Sequence, residues 1–143
     1  IYFIMEKDRS YYDITRNQSP PREIKYFDLS EFDSPDDNDS GDNMDIHFVR
    51  KLDEAREIAG IPFKVNSGYR TPFHNTKVGG VKDSSHIKIP CCAVDIKAED
   101  SRTRFLIISA AIQVGINRIG IGKNFIHLDA DKTKSQDVTW HYY

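Results

Sequence analysis

The chain has 143 residues, 38% of them apolar and 29% charged, and 20 basic against 22 acidic side chains leave a formal charge of −2. That length supplies one domain able to bury roughly 68–70% of its unfolded surface, and the composition is polar but globular. The charge balance argues against a nucleic-acid binder held by phosphate neutralisation, and no apolar run reaches the ~18–20 residues that span a bilayer, which excludes membrane insertion by a helix.

Residues 1–25 show no sustained periodicity. Ile1-Tyr2-Phe3-Ile4-Met5 is too short for a secretory apolar region and lacks a basic flank, and a first residue other than methionine reads as a processed or partial product. Tyr11-Tyr12 and Pro20-Pro21 sit among charges, so 1–25 reads as an arm that packs on a protein partner or stays mobile, ahead of one domain at 26–143. The acidic stretch Ser34–Asp42 reads as a turn-forming loop; it lacks the alternating ligands and closing Glu of a calcium-binding EF-hand.

From Asp45, a plausible N-cap, Phe48, Val49, Leu52, Ala55 and Ala59 recur at helical intervals, with Gly60 just past the end. Ile61–Val65 reads as a strand running into Ser67-Gly68-Tyr69-Arg70. Thr71-Pro72 then opens a short helix that Gly79-Gly80 ends. Adjacent Cys91 and Cys92 could pair only through a strained small ring, so they read as small buried side chains or, alternatively, as a soft metal or redox site. Ala93–Ile96 is a strand. Ser101 caps a helix with Phe105, Ile108, Ala111 and Ile112 on its packed side, and Arg118–Ile121 and Phe125–Asp129 are the last two strands. This order predicts an α+β domain, a small antiparallel sheet with packed helices.

Of the five histidines, His47, His74, His86, His127 and His141, two stand in metal-like contexts. Alternation along a strand puts His127 on one face with Phe125 and Asp129, and turns Asp95 away from Val94 and Ile96. With His86 from a loop, one carboxylate and two imidazoles would meet. A catalytic zinc typically takes three protein ligands and keeps a fourth position for water, whose pKa it lowers towards ~7. Taken singly, each histidine reads first as structural or solvated, so spacing alone leaves the metal open.

The motifs Ser67-Gly68-Tyr69-Arg70-Thr71-Pro72, His74-Asn75, Val78-Gly79-Gly80, Ser84-Ser85-His86 and Ala93-Val94-Asp95-Ile96 resemble the D-alanyl-D-alanine carboxypeptidase and endolysin family of zinc peptidases. Arg118-Ile119-Gly120-Ile121, Phe125-Ile126-His127-Leu128-Asp129 and Trp140-His141-Tyr142 continue the likeness in the family's order, as does the opening Phe27-Asp28-Leu29-Ser30-Glu31-Phe32. The resemblance implies a hedgehog/D-Ala-D-Ala-peptidase-like fold and cleavage of peptidoglycan stem peptides at the bacterial cell wall, by a phage lysin, a virion component or an exported enzyme. It implies Zn²⁺ held by His86, Asp95 and His127, with Arg70 stabilising charge on the attacked carbonyl or forming a salt bridge instead. Ser84 matches a substrate-contacting serine, and Tyr69 and His141 are further candidates for substrate contact, with packing and solvent exposure as their respective alternatives.

Two features depart from the family pattern. The family usually places its first His and Asp two positions closer together than His86 and Asp95 stand here, and Ile89-Pro90-Cys91-Cys92 replaces a glycine-containing bend. The family's acid, three residues before the last ligand, is Asn124 here, so Asp129 becomes the candidate base, or else the group that holds a ligand histidine. These departures leave a second reading open, a catalytically inactive peptidase fold in a virion or envelope assembly.

Overall fold

Alternation within Phe125–Asp129 sets the plan of the molecule, because burying Ile126 and Leu128 obliges His127 and Asp129 to face the other way. In the computed structural model, which describes residues 23–143, this strand is the centre of a five-stranded sheet. Numbered along the chain, β1 (Val65–Ser67), β2 (Ala93–Lys97), β3 (Arg118–Ile121), β4 (Phe125–Asp129) and β5 (Val138–His141) lie in the order β1-β2-β4-β3-β5. The helices among the described residues are α1 (Ile46–Ala59), α2 (Pro72–Lys77) and α3 (Ser101–Gln113), besides short 3₁₀ turns.

α1 packs on α3, and α3 on β4, so the two long helices form a layer on one face of the sheet. Between the layers lie Phe48, Val49, Leu52 and Ala55 of α1, Ile107, Ala110 and Ala111 of α3, and Val94, Ile96, Ile119, Ile126 and Leu128 of the strands. The antiparallel register then lines polar residues up on the opposite face: Asp95 pairs with His127 across β2 and β4, while Gly120 pairs with His127 and Arg118 with Asp129 across β3 and β4.

The local signals for α1 and α2 act as expected. Asp45 accepts from the backbone N–H groups of His47 and Phe48, and Gly60 closes α1 in the left-handed region at φ 70°. Thr71 caps α2 through the His74 N–H, with Pro72 in the first turn. Phe27 and Phe32 enter the core on either side of a 3₁₀ turn, Leu29–Phe32, that is closed by reciprocal bonds between Asp28 and Glu31. Of the expected arm at 1–25, residues 1–22 lie outside the described residues; Lys25 and Tyr26 are bound by their backbone N–H groups to the buried Asp53 carboxylate of α1.

Three elements differ from the sequence reading. The sheet is mixed rather than antiparallel, because β5, a four-residue strand that the sequence reading did not include, runs parallel to β3. The first strand is not Ile61–Val65 but Val65–Ser67, since Pro62 has no N–H to donate and Phe63 turns into the core. In α3 the cap is Asp100, which accepts from Thr103; the expected Ala111 and, partly buried, Ile108 do pack, joined by Ile107 and Ala110, while Phe105 and Ile112 are exposed. Alanine at the contact lets α1 and α3 approach closely, which the larger side chains would prevent.

Cys91 and Cys92 are free thiols, and Cys91 is fully buried, where desolvation pushes its pKa up to about 12. Its backbone bonds to Asn43 and Asp45, so the additional residues between His86 and Asp95 are tied to the start of α1.

Gly68 crosses close to another backbone near the polar face: a Cβ there would come within 2.8 Å of the Phe32 backbone. Gly68→Ala is expected to cost about 1–3 kcal/mol in urea unfolding, as overpacking against backbone does. An unchanged midpoint would show that the crossing yields.

Candidate metal centre

His86, Asp95 and His127 come from three different elements and offer one donor atom each within 4.8 Å of the others. β2 and β4 supply Asp95 and His127 as a cross-strand pair. His86 sits on the 3₁₀ turn Ser85–Ile87, whose N-cap is Ser84 accepting from the His86 N–H, and its carbonyl accepts from the Arg70 N–H. All three residues are buried.

Their hydrogen-bond partners fix which atoms face inward. The Gly68 carbonyl, 2.6 Å from His86 Nδ1, can only accept, so Nδ1 carries the proton and Nε2 presents a lone pair. Asp129 Oδ2, 2.6 Å from His127 Nε2, likewise takes that N–H and leaves Nδ1 inward. Asp95 Oδ1 completes the set. The three edges are 3.3 Å between the imidazoles, 3.4 Å from His86 to Asp95 and 2.8 Å from His127 to Asp95. Donors on a tetrahedral ion at ~2.0–2.1 Å would stand roughly 3.3 Å apart, so the group fits zinc with a small opening of one edge. With both imidazoles neutral, three lone pairs converge in a buried spot, an arrangement that only a proton or a cation makes favourable.

Each ligand is held from behind. Arg70 has a partner for all three guanidinium nitrogens: Nε donates to Ser67 Oγ at 2.9 Å, Nη1 to Asn75 Oδ1 at 3.0 Å and Nη2 to Asp95 Oδ2 at 3.2 Å. Of its two readings, these contacts are those of the salt bridge, and they leave Oδ1 as the inward atom. Asp129 is engaged on both oxygens, since Oδ1 also accepts from Arg118 Nε at 2.6 Å and from the Asp131 N–H at 3.0 Å. It lies across the His127 ring from the inward nitrogen, so its contacts are those of the group that holds the histidine and not those of a free base. Arg118 in turn lies 5.1 Å from the Trp140 ring centre and donates to the Ser135 carbonyl.

Burial pushes the Asp95 carboxyl up, but hydrogen bonds and charge from His127 and His86 outweigh this and hold it well below the usual carboxylate range. Burial of Asp129 is outweighed likewise, chiefly by His127, then by the Asp131 N–H and Arg118. For His127 burial opposes the charge, yet the hydrogen bonds of Asp129 and Asp95 raise its pKa.

The group opens onto a cleft of about 490 Å³ lined by Val78–Val81 and by the aromatic Phe125, Trp140 and Tyr142. Ser84 lines it. Tyr69 does not: it is a core side chain, 5% exposed, and its expected substrate contact is replaced by packing. His141 is also turned away, because alternation on β5 sends Trp140 and Tyr142 to the cleft; His141 is exposed and bonds the Tyr143 carbonyl. Asn124 is exposed outside the cleft, and Cys91 bonds the carbonyls of Ser85, His86 and Ala93 instead of joining the donors. Sequence reasoning missed Arg118 and Asp131. The first was within reach, since the register of two adjacent strands puts it beside Asp129. Asp131, which anchors the ligand turn through Ser85 Oγ at 2.6 Å and Lys88 Nζ at 2.9 Å, follows the strand and carries no periodic signal.

These shifts set a pH dependence for the metal-free protein. A raised His127 contributes stability that is complete below about pH 6.5 and lost as pH rises through its folded value; the depressed Asp95 and Asp129 contribute stability that is complete above about pH 4 and lost as pH falls towards theirs. Chelator-treated protein should therefore show its highest urea midpoint between roughly pH 4 and 6.5, and zinc affinity should climb on the alkaline side as the competing proton leaves. A metal-free midpoint that increases steadily from about pH 6 to about 8.5 would contradict this pairing.

A comparison with curated proteins finds no match. One family profile, described as Peptidase M15, matches residues 25–129, a span that holds all three donors and both of the groups fixing their tautomers. The chain therefore belongs to the peptidase M15 family, of the zinc D-Ala-D-Ala carboxypeptidase-like kind that its motifs resemble.

Proposed function

We propose that this chain is a zinc-dependent peptidase acting on peptidoglycan stem peptides, as a D-Ala carboxypeptidase or an endopeptidase, in a phage lysin, a virion-associated lytic protein or a bacterial cell-wall enzyme. The observation that carries this reading is the inward convergence of three buried lone pairs beside an open cleft. His86 Nε2, Asp95 Oδ1 and His127 Nδ1 would hold the ion. When bound, zinc supplies Lewis-acid chemistry, polarising a carbonyl and making water acidic enough to react near neutrality.

The protein's own contribution is orientation. Gly68 and Asp129 hold the two imidazoles in the ligating tautomers, and Arg70 turns one oxygen of Asp95 inward by occupying the other. The apolar residues lining the cleft, Val78, Val81, Phe125, Trp140 and Tyr142, suit an extended peptide.

One observation favours a second reading, an inactive fold serving in a virion or envelope assembly: among the described residues lining the cleft, both carboxylates, Asp95 and Asp129, are committed to arginine and histidine partners. A zinc count together with turnover on purified wall fragments separates the two. The peptidase should bind one zinc per chain and lose cleavage on chelation or in His86→Ala; stoichiometric zinc with no cleavage would favour the scaffold. Asp129→Asn, which keeps the shape of the group holding His127 but not its charge, should weaken zinc binding or activity by about 10–100-fold.

A further inference from the structure

We propose that Lys134 anchors the C-terminal carboxylate of the peptide in this cleft, so that the site trims chain ends and does not cut within a chain. The assignment rests on the peptidase reading and narrows its substrate to peptides with a free C-terminus.

The charge of the cleft points to an anionic group on the substrate. Three cations line it, Arg70, Arg118 and Lys134, against two carboxylates, Asp95 and Asp129. The carboxylates are matched one to one, with Arg70 Nη2 3.2 Å from Asp95 and Arg118 Nε 2.6 Å from Asp129. The other nitrogens of Arg70 donate to Ser67 and Asn75, and Arg118 is buried with Nη1 on the Ser135 carbonyl. Lys134 differs. Its ammonium makes no ion pair among the described residues and donates to a neutral acceptor, the Asp83 carbonyl, at 2.8 Å. An ammonium has three N–H donors, which leaves two for a ligand.

The lysine is held in place along its length. Its backbone N–H donates to the Asp131 carbonyl at 3.4 Å, its carbonyl accepts from Gln136 Nε2 at 2.8 Å, and Nζ reaches the Asp83 carbonyl. From Asp83 the metal ligand His86 is three residues on, a chain span of at most ~11 Å. Between them Ser84 lines the cleft; its Oγ accepts from the His86 N–H at 3.2 Å and keeps its own O–H to donate. A carboxylate held by the ammonium thus has a hydroxyl donor on the adjoining residue.

The same edge of the cleft is closed to a longer chain. The ligand turn contributes Ser84 and Ser85 to the lining, and the segment after β4 contributes Lys134. These two pieces are laced together: Ser85 Oγ donates to Asp131 at 2.6 Å, Lys88 Nζ lies 2.9 Å from Asp131 and 2.7 Å from Thr133 Oγ1, and Lys134 joins Asp83. A peptide running towards Lys134 meets a hydrogen-bonded seam in place of an exit. A seam that presents a cation with two uncommitted donors suits a chain that stops there in a carboxylate.

The test uses the zinc-loaded full chain and a matched pair of peptides, diacetyl-L-Lys-D-Ala-D-Ala and its C-terminal amide, which differ in the charge at the end. In kcat/KM, wild type should favour the acid by about 10–100-fold, the usual worth of a hydrogen bond to a charged group. Lys134→Met, which keeps an unbranched stem without the charge, should lower that preference at least about tenfold with one zinc retained, and Lys134→Glu should lower it further. Calorimetric binding of the same two peptides should follow the same pattern without turnover. Equal handling of acid and amide by wild type, or a preference undiminished in Lys134→Met, overturns the assignment. If wild type cleaves neither peptide yet binds the acid through Lys134, the peptidase reading fails and the carboxylate site stands.

Discussion

Two protons, held in place by acceptors outside the donor triangle, govern this molecule. The Gly68 carbonyl takes one from His86, and the Asp129 carboxylate takes one from His127, which forces the remaining ring nitrogens to look at each other and at Asp95. Lone pairs arranged in this way repel in a dry interior, so the fold stores an electrostatic debt that a cation cancels. The rest of the structure can be understood as the means of keeping those acceptors in place: Gly68 is pinned against Phe32, and Asp129 lies at the end of the central strand with Arg118 against its other oxygen.

The two arginines make this arrangement rigid in complementary ways. Arg70 approaches from the loop after β1 and grips Asp95; Arg118 approaches from β3 and grips Asp129. Each removes one carboxylate oxygen from competition, so each acid presents a single atom to its histidine or to the donor triangle. Truncating either arginine would leave a buried carboxylate without its countercharge, a change usually worth more than the pair itself contributes. Arg118 also bears on Trp140, and so ties the wall of the cleft to the support of His127.

Much of this was legible in the residues because period-two alternation is a local rule. The strand Phe125–Asp129 announces which of its side chains are core and which are not, and the same holds for Asp95 between Val94 and Ile96. Helix ends were equally plain at Asp45, Gly60 and Thr71, where cap chemistry involves only near neighbours. Hidden from the sequence were the relations between elements. Whether Arg70 met substrate or Asp95 depended on the distance across β1 and β2, and whether Asp129 was a base or a support depended on Arg118 in the adjacent strand. β5 was missed for a similar reason: its alternation covers only four residues, Val138–His141, and it is the pairing with β3 that makes Trp140 part of the cleft.

The stretch between His86 and Asp95 shows what a motif spacing does and does not measure. Its two ends are set independently, His86 by the bonds to Gly68 and Arg70 and Asp95 by the ladder with His127, while Ile89 and Pro90 bow outward and Cys91 returns to the start of α1. Lengthening such a connection by two residues costs only about 0.2 kcal/mol of closure entropy. Evolution is therefore free to vary the length of this excursion almost without penalty, and a search that insists on a fixed interval between the first two ligands would pass over chains whose donor atoms meet just as well.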